Sequence, residues 1–208
     1  MINYRINDLK NLFNKENIDG YVVPKNDEFF SEFSKIDRLK IISNFSGSAG
    51  YAIILKKKNY LFVDGRYTIQ AQIESSKNFI ITEYHKIVNC NLFKNLTLGI
   101  NPKLFTSNQI KKNFLKNNKI KLIKTDLIKQ NSEKKLNDLR PFFSLDKLIV
   151  GESHKKKINK IINFLKKNKS NFIFITAPEN VAWLLNIRGY DNPNSPIPNC
   201  HLLLDKKK

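Results

Sequence analysis

The chain is poor in the residues that mark several common protein classes. It has 2 cysteines in 208 residues, Cys90 and Cys200, too few and too far apart for a disulfide framework or a CxxC metal pair. Its 3 histidines, His85, His154 and His201, share no ligand spacing, so a structural zinc is not expected and no metal ligand is assigned. Arginine is scarce: 5 residues, at positions 5, 38, 66, 140 and 188, against 32 lysines. Readers of nucleic acid rely on arginine for bidentate contacts, so the net charge of +19 points to RNA or DNA less strongly than its size suggests. A solvated lysine surface is the simpler reading, and nucleic acid is not the expected partner. No apolar run approaches the length of a membrane span, and Met1 to Arg5 lead into no apolar core of a secretory leader. A soluble, cytoplasmic protein is expected.

What is present is enough to fold. Hydrophobic residues make up 41% of the chain, with 15 phenylalanines, so it can bury a core. Ile6, Leu9, Leu12 and Phe13 recur at helical spacing and predict an amphipathic helix ending near Asn17. Tyr21-Val22-Val23 reads as a short strand stopped by Pro24. Asp27 is placed to cap a short helix carrying Phe29, Phe30 and Phe33, which read as core aromatics. Tyr51 to Leu55 and Tyr60 to Val63, joined by a polar connection over 56–59, predict an antiparallel hairpin. A helix over 66–74 should follow, with Asp64 near its N-terminus, where a carboxylate is favoured. Strands are expected over 79–82, 96–100 and 120–123, with a helix capped by Thr106 or Ser107 and running through Asn117. Alternating strands and helices predict an α/β fold with a sheet made mixed by the hairpin and flanked by helices.

The periodicity fades between Leu127 and Leu148, where Arg140-Pro141 punctuates the chain. The expected organisation is a first domain over 1–130, a linker over 131–150 and the start of a second α/β domain over 151–208. In the second, Ser153 should cap a helix through Lys167 that buries Ile158, Ile161, Ile162 and Leu165. A buried strand is expected over 172–176, then a helix from Pro178 to Leu185 and a strand over 201–204. These elements make a poor closed sheet, so the second domain reads as incomplete.

Two glycine-marked turns stand out. Gly47-Ser48-Ala49-Gly50 could expose backbone amides to an anion, but it lacks the Gly-Lys-Ser/Thr ending of a phosphate loop; a tight turn beneath the hairpin is the simpler reading. Asp64-Gly65-Arg66 is either a capped, solvated turn or a rigid mount for a guanidinium that grips a carbonyl or carboxylate. No serine sits in a nucleophile elbow, and no catalytic residue is assigned.

Four segments, DGYVVPKNDEFFSEF, ISNFSGSAGYAII, LFVDGRYTIQA and ENVAWLLNIRGYDNPNSPIPN, occur in this order between residues 19 and 199. Together they resemble the noncatalytic N-terminal part of the Xaa-Pro aminopeptidases (aminopeptidase P), which shares its first-domain fold with creatinase and prolidase. The resemblance implies a creatinase/prolidase N-terminal, ribonuclease H-like fold, followed by a second domain of related fold, here truncated. It implies a hydrolase that removes an N-terminal residue preceding proline, with a pita-bread catalytic domain absent from this chain. That domain would hold two divalent metals, usually manganese, that activate water and polarise the scissile carbonyl. The chain alone is not expected to be active. Carried over residue by residue, Arg66 matches a substrate-binding arginine, Asp64 is a possible support for it, and Arg188 and Asp191 match a second-domain motif read as structural. The implied partners are a peptide with proline at its second position and further copies of the full-length enzyme. The competing reading is a free-standing basic module that binds RNA or another polyanion.

Overall fold

The computed structural model describes residues 2–31, 36–87, 93–128, 141–192 and 194–207. Phe33, Cys90 and Arg140 fall outside the described residues. The described residues fall into two compact units, one of residues 2–31, 36–87 and 93–128 and the other of residues 141–192 and 194–207.

The first unit is built on one mixed sheet. Helix α1 (Ile2–Lys15) leads into β1 (Gly20–Pro24), and α2 (Arg38–Ser43) precedes the hairpin of β2 (Gly50–Leu55) and β3 (Asn59–Val63). A 3-10 turn over Gly65–Tyr67 opens α3 (Thr68–Ser75), followed by β4 (Ile80–Glu83) and β5 (Thr97–Ile100). A short α4 (Ser107–Ile110) loosens into a π turn over Lys111–Leu115 before β6 (Lys119–Leu122). The strand order is β4-β3-β2-β1-β5-β6. Only β2 runs against its neighbours: it is antiparallel to β1 and β3, whereas β3 with β4, β1 with β5 and β5 with β6 are parallel.

Side chains along a strand alternate between faces, and here both faces are covered. Tyr21, Val23, Ala52, Ile54, Leu61 and Val63 turn to one core with Leu9 and Phe13 of α1. Val22, Tyr51, Ile53, Tyr60 and Phe62 turn to the other, with Phe105 and Phe114. The near-continuous apolar runs of β1 to β3 follow from this double burial, each fully buried side chain contributing about 1.5–3 kcal/mol.

The expected helix after Asp27 does not form. Asp27 accepts hydrogen bonds from the backbone amides of Phe29 and Ser31, both at 2.9 Å, and so closes an Asx-type turn. Phe30 takes a left-handed φ of 61°, which a helix cannot continue through, and its side chain is exposed rather than core. The helix that exists there is α2, whose N-cap Asp37 accepts from Lys40 N and whose C-cap Asn44 is left-handed at φ 68°. Buried charges secure this region: Arg38 Nε lies 2.7 Å from Asp126, and Lys25 pairs with Asp37.

The second unit is sparer. Strand β7 (Phe143–Ser144), inside the stretch expected to be linker, pairs with β9 (Ile187–Arg188), and β8 (Phe172–Ile175) pairs antiparallel with β10 (Leu202–Asp205). Helices α5 (His154–Lys167) and α6 (Pro178–Leu185) start at Ser153 and Pro178 as expected. The buried strand does not hold: Ile173 and Ile175 of β8 are half-buried, but Phe172 and Phe174, on the other face, are exposed. Likewise Ile158, Ile161 and Ile162 of α5 are half-buried, and only Leu165 of the expected set is fully buried. A two-stranded ladder has too little surface to cover both faces of what packs on it.

Candidate functional site

The two glycine-marked turns meet at one end of the hairpin, because the register pairs Gly50 with Val63. Gly47 needs its missing side chain for space rather than for φ: a Cβ there would come within 2.3 Å of the Phe45 ring, and no described glycine has positive φ. A Cβ on Gly50 would come within 2.8 Å of the Phe62 carbonyl oxygen. The segment is thus a tight turn seated on Phe45. It is fastened from α3: Glu74 accepts from Ser46 N and Ser46 Oγ, each at 2.8 Å, and from Gln70 Nε2 at 3.1 Å. Burial opposes ionisation of Glu74, but these bonds from Ser46 and Gln70 outweigh it and hold the carboxyl below its ordinary range.

Asp64 both caps and pairs. Its Oδ1 accepts from Arg66 N at 3.0 Å and from Arg66 Nε at 2.9 Å, and Oδ2 lies 3.4 Å from Arg66 Nη2. These bonds, the side-chain one foremost, hold the Asp64 carboxyl below the usual aspartate range. The side chain of Arg66 is 73% exposed, with its guanidinium 5.5 Å from the centre of the Tyr67 ring. Tyr67 in turn packs edge-on against Phe45 at 5.9 Å and shares a hydrogen bond of 2.9 Å with Ser48 Oγ. The chain of contacts from Ser48 through Tyr67 to Arg66 links the motifs. An arginine held this way presents its fork in a fixed direction, suited to a carbonyl or carboxylate.

Beside Asp64 lies a cavity of about 280 Å³, lined by residues that include Lys25, Asn26, Ser48, Tyr51 and Tyr84. Sequence reasoning did not find it. Its walls come from four strand ends, and Tyr84, stacked on Tyr51 at 5.3 Å, follows a strand that carries no motif.

Arg188 and Asp191 sit in the second unit with backbone partners. Arg188 Nη1 donates to Ile187 O at 2.8 Å, and Asp191 Oδ2 accepts from Asn199 N at 2.8 Å. Gly189 allows Pro198 to approach, since a Cβ would meet its Cα at 2.9 Å. Among the described residues no group of three or more His, Cys, Asp or Glu side chains is placed to hold a metal. Cys200 is half-buried, and burial raises its thiol pKa. No helix among the described residues is long and apolar enough to cross a membrane.

Similarity to known proteins agrees with this frame. A family model described as the creatinase/prolidase N-terminal domain matches residues 5–128, and a second of the same description matches 133–208. The chain is 32% identical over 205 residues to a "Probable Xaa-Pro aminopeptidase P" of Coprinopsis cinerea, covering 91% of this chain and 33% of that protein. It is 27% identical to "Xaa-Pro aminopeptidase 1" of Dictyostelium discoideum, covering 100% of this chain and 37% of that protein. The chain therefore spans about a third of the length of these curated relatives. Among solved structures, the X-prolyl aminopeptidase of Caenorhabditis elegans, described as a cytosolic enzyme with a di-nuclear active site, superposes with a TM-score of 0.89 at 25% identity, covering 100% of this chain and 38% of that one. With its mixed sheet, its hairpin-borne motifs and a model match over most of the first unit, the chain belongs to the creatinase/prolidase N-terminal domain family.

Proposed function

We propose that this chain is the N-terminal, noncatalytic portion of a metal-dependent Xaa-Pro aminopeptidase, and that Arg66, oriented by Asp64, contacts the peptide substrate. The observation that carries the reading is the exposed guanidinium held just past the end of β3 by Asp64 and Tyr67, in a chain of which 91% matches a third of the length of an aminopeptidase P relative. Domain limits of 1–130 and 151–208 belong to the same proposal, as do a cytoplasmic location, assembly into homo-oligomers and two divalent metals, manganese in the family pattern, in a separate catalytic domain. The first test is the coding sequence downstream of Lys208. An in-frame pita-bread domain with two Asp, one His and two Glu ligands is expected, and an immediate stop would sink the reading. In the extended enzyme, Arg66→Ala should raise KM for Xaa-Pro peptides with metal content unchanged. Unaltered kinetic constants would remove Arg66 from the site.

A second reading has one observation in its favour: Lys166, Lys169, Lys206 and Lys207 line a single cleft of about 540 Å³ in the second unit. Lysines gathered this way would attract a polyanion such as RNA, with binding that weakens steeply as salt rises. Absence of RNA binding at low ionic strength would dispose of it.

A further inference from the structure

We propose that the cavity beside Asp64 is a side-chain subsite for a peptide, selecting an aromatic residue through Tyr84; this rests on the reading of Arg66 as a peptide contact.

The placement comes from topology. Lys25 and Asn26 follow β1, Asp64 follows β3 and Tyr84 follows β4, so the cavity lies at the carboxyl ends of three strands. Because β2 runs the opposite way, it contributes its first residues, Gly50 and Tyr51, at the same edge of the sheet, with Ser48 and Ala49 just before them. Crevices at the carboxyl ends of strands in α/β sheets are where such folds take ligands. The glycine-rich turn keeps this one open, since its side chains are small.

The lining has two characters. One wall is aromatic: Tyr51 is buried, with Phe105 stacked on it at 5.9 Å and Tyr84 at 5.3 Å. Tyr84 is 37% exposed, leaving part of its ring for an incoming group. The polar side chains are already engaged. Lys25 pairs with Asp37, Asn26 Nδ2 donates to Leu104 O at 3.0 Å, Ser48 bonds Tyr67, and Asp64 holds Arg66. What remains on offer is an aromatic surface of single-side-chain size, next to a guanidinium that Asp64 ties to its rim. A peptide whose carbonyl or carboxylate meets Arg66 would set a neighbouring side chain against Tyr84, and an aromatic ring fits that wall best.

The test is an NMR titration of the 208-residue chain with the tripeptides Ala-Pro-Phe and Ala-Pro-Gly. The wild-type chain should bind Ala-Pro-Phe about five- to tenfold more tightly. Tyr84→Ala should bring the two peptides within twofold of each other, and Tyr84→Phe should restore the preference because the ring, not the hydroxyl, carries it. Intermolecular NOEs between the peptide ring and Tyr84 in the wild-type chain test the contact without any variant, and their absence overturns the subsite. Equal affinity for both peptides, with both weakened by Arg66→Ala, overturns the subsite and keeps Arg66. A Tyr84-dependent preference that Arg66→Ala leaves untouched does the reverse. No binding of either peptide at millimolar concentration overturns both.

Discussion

Phe62 and Phe174 are both mid-strand phenylalanines flanked by apolar neighbours, yet the first is 0% exposed and the second 58%. Their neighbours account for the difference. Phe62 lies on β3, between β2 and β4, in a six-stranded sheet whose two faces each carry a core. Phe174 lies on β8, which has β10 as its described ladder partner. In the first unit a side chain on either face of a central strand is buried; in the second, only the face toward the helices is partly covered. The candidate site follows the better-packed unit, where rigid strand ends can hold Arg66 and the cavity wall in fixed geometry.

The largest expected effect breaks the pair directly. Phe62→Ala should destabilise the first unit by about 3–5 kcal/mol in chemical denaturation, whereas Phe174→Ala should cost less than about 1 kcal/mol. Equal losses would mean that β8 is packed as tightly as β3. Next in size is Gly47→Ala, expected to cost about 1–3 kcal/mol because the added Cβ collides with Phe45. Combining it with Phe45→Leu should recover part of the loss, and no recovery would point away from that collision.

The second unit has its own internal anchor. Lys157 of α5 is 6% exposed, and its ammonium donates to Trp183 O and to Asn186 Oδ1, each at 2.6 Å, while lying 4.2 Å from the Trp183 ring centre. Lys157→Met should remove the ammonium from Asn186 Oδ1 and leave Trp183 O with only the long bond from Asn186 N at 3.4 Å, at a cost of about 1–3 kcal/mol. Trp183 is the chain's single tryptophan, so its fluorescence reports this unit alone. An unchanged fluorescence melt would remove Lys157 from the anchor.

The smallest effect is at the site itself. Arg66→Ala should leave the midpoint of chemical denaturation essentially unchanged, as expected of an exposed, solvent-screened ion pair. It should nevertheless raise the Asp64 pKa toward the ordinary aspartate value, read by NMR titration of the carboxyl. The sign follows from the depressed pKa: the Asp64–Arg66 interaction is fully present above the unfolded-state pKa and is lost as the pH falls through the folded one. An Asp64 titration that ignores Arg66→Ala would show that the amide cap, not the guanidinium, sets it.

The hairpin, the mixed sheet and most element starts were legible in the sequence because they rest on local chemistry. Tyr51 to Leu55 and Tyr60 to Val63 carry β-forming side chains around a polar turn, and Ser153 and Pro178 are strong helix starters. Helix α2 was missed although Asp37 and Asn44 bracket it, because its six residues are too short to show periodicity. Phe172 to Ile175 misled for a different reason: a run of apolar residues looks the same whether one face of the strand is covered or both. At the site, the Asp64 cap was legible from local turn chemistry, whereas a substrate role for Arg66 rested on the family resemblance. The Ser48 to Tyr67 bond and the Tyr51–Tyr84 stack were not legible, since both depend on strand order, which brings together residues 19 and 33 positions apart.

The pairing of Gly50 with Val63 also bears on the order in which the protein assembles. Both motif loops are the two arms of one hairpin closed by a short turn, and such hairpins form in about 1–10 μs with little loop entropy to overcome. The parallel pairing of β1 with β5 joins residues nearly eighty positions apart and must wait for that much chain to be made. The mount that brings the glycine turn to Arg66 thus rests on local pairing, whereas its rigidity depends on the distant strands that flank the hairpin in the finished sheet.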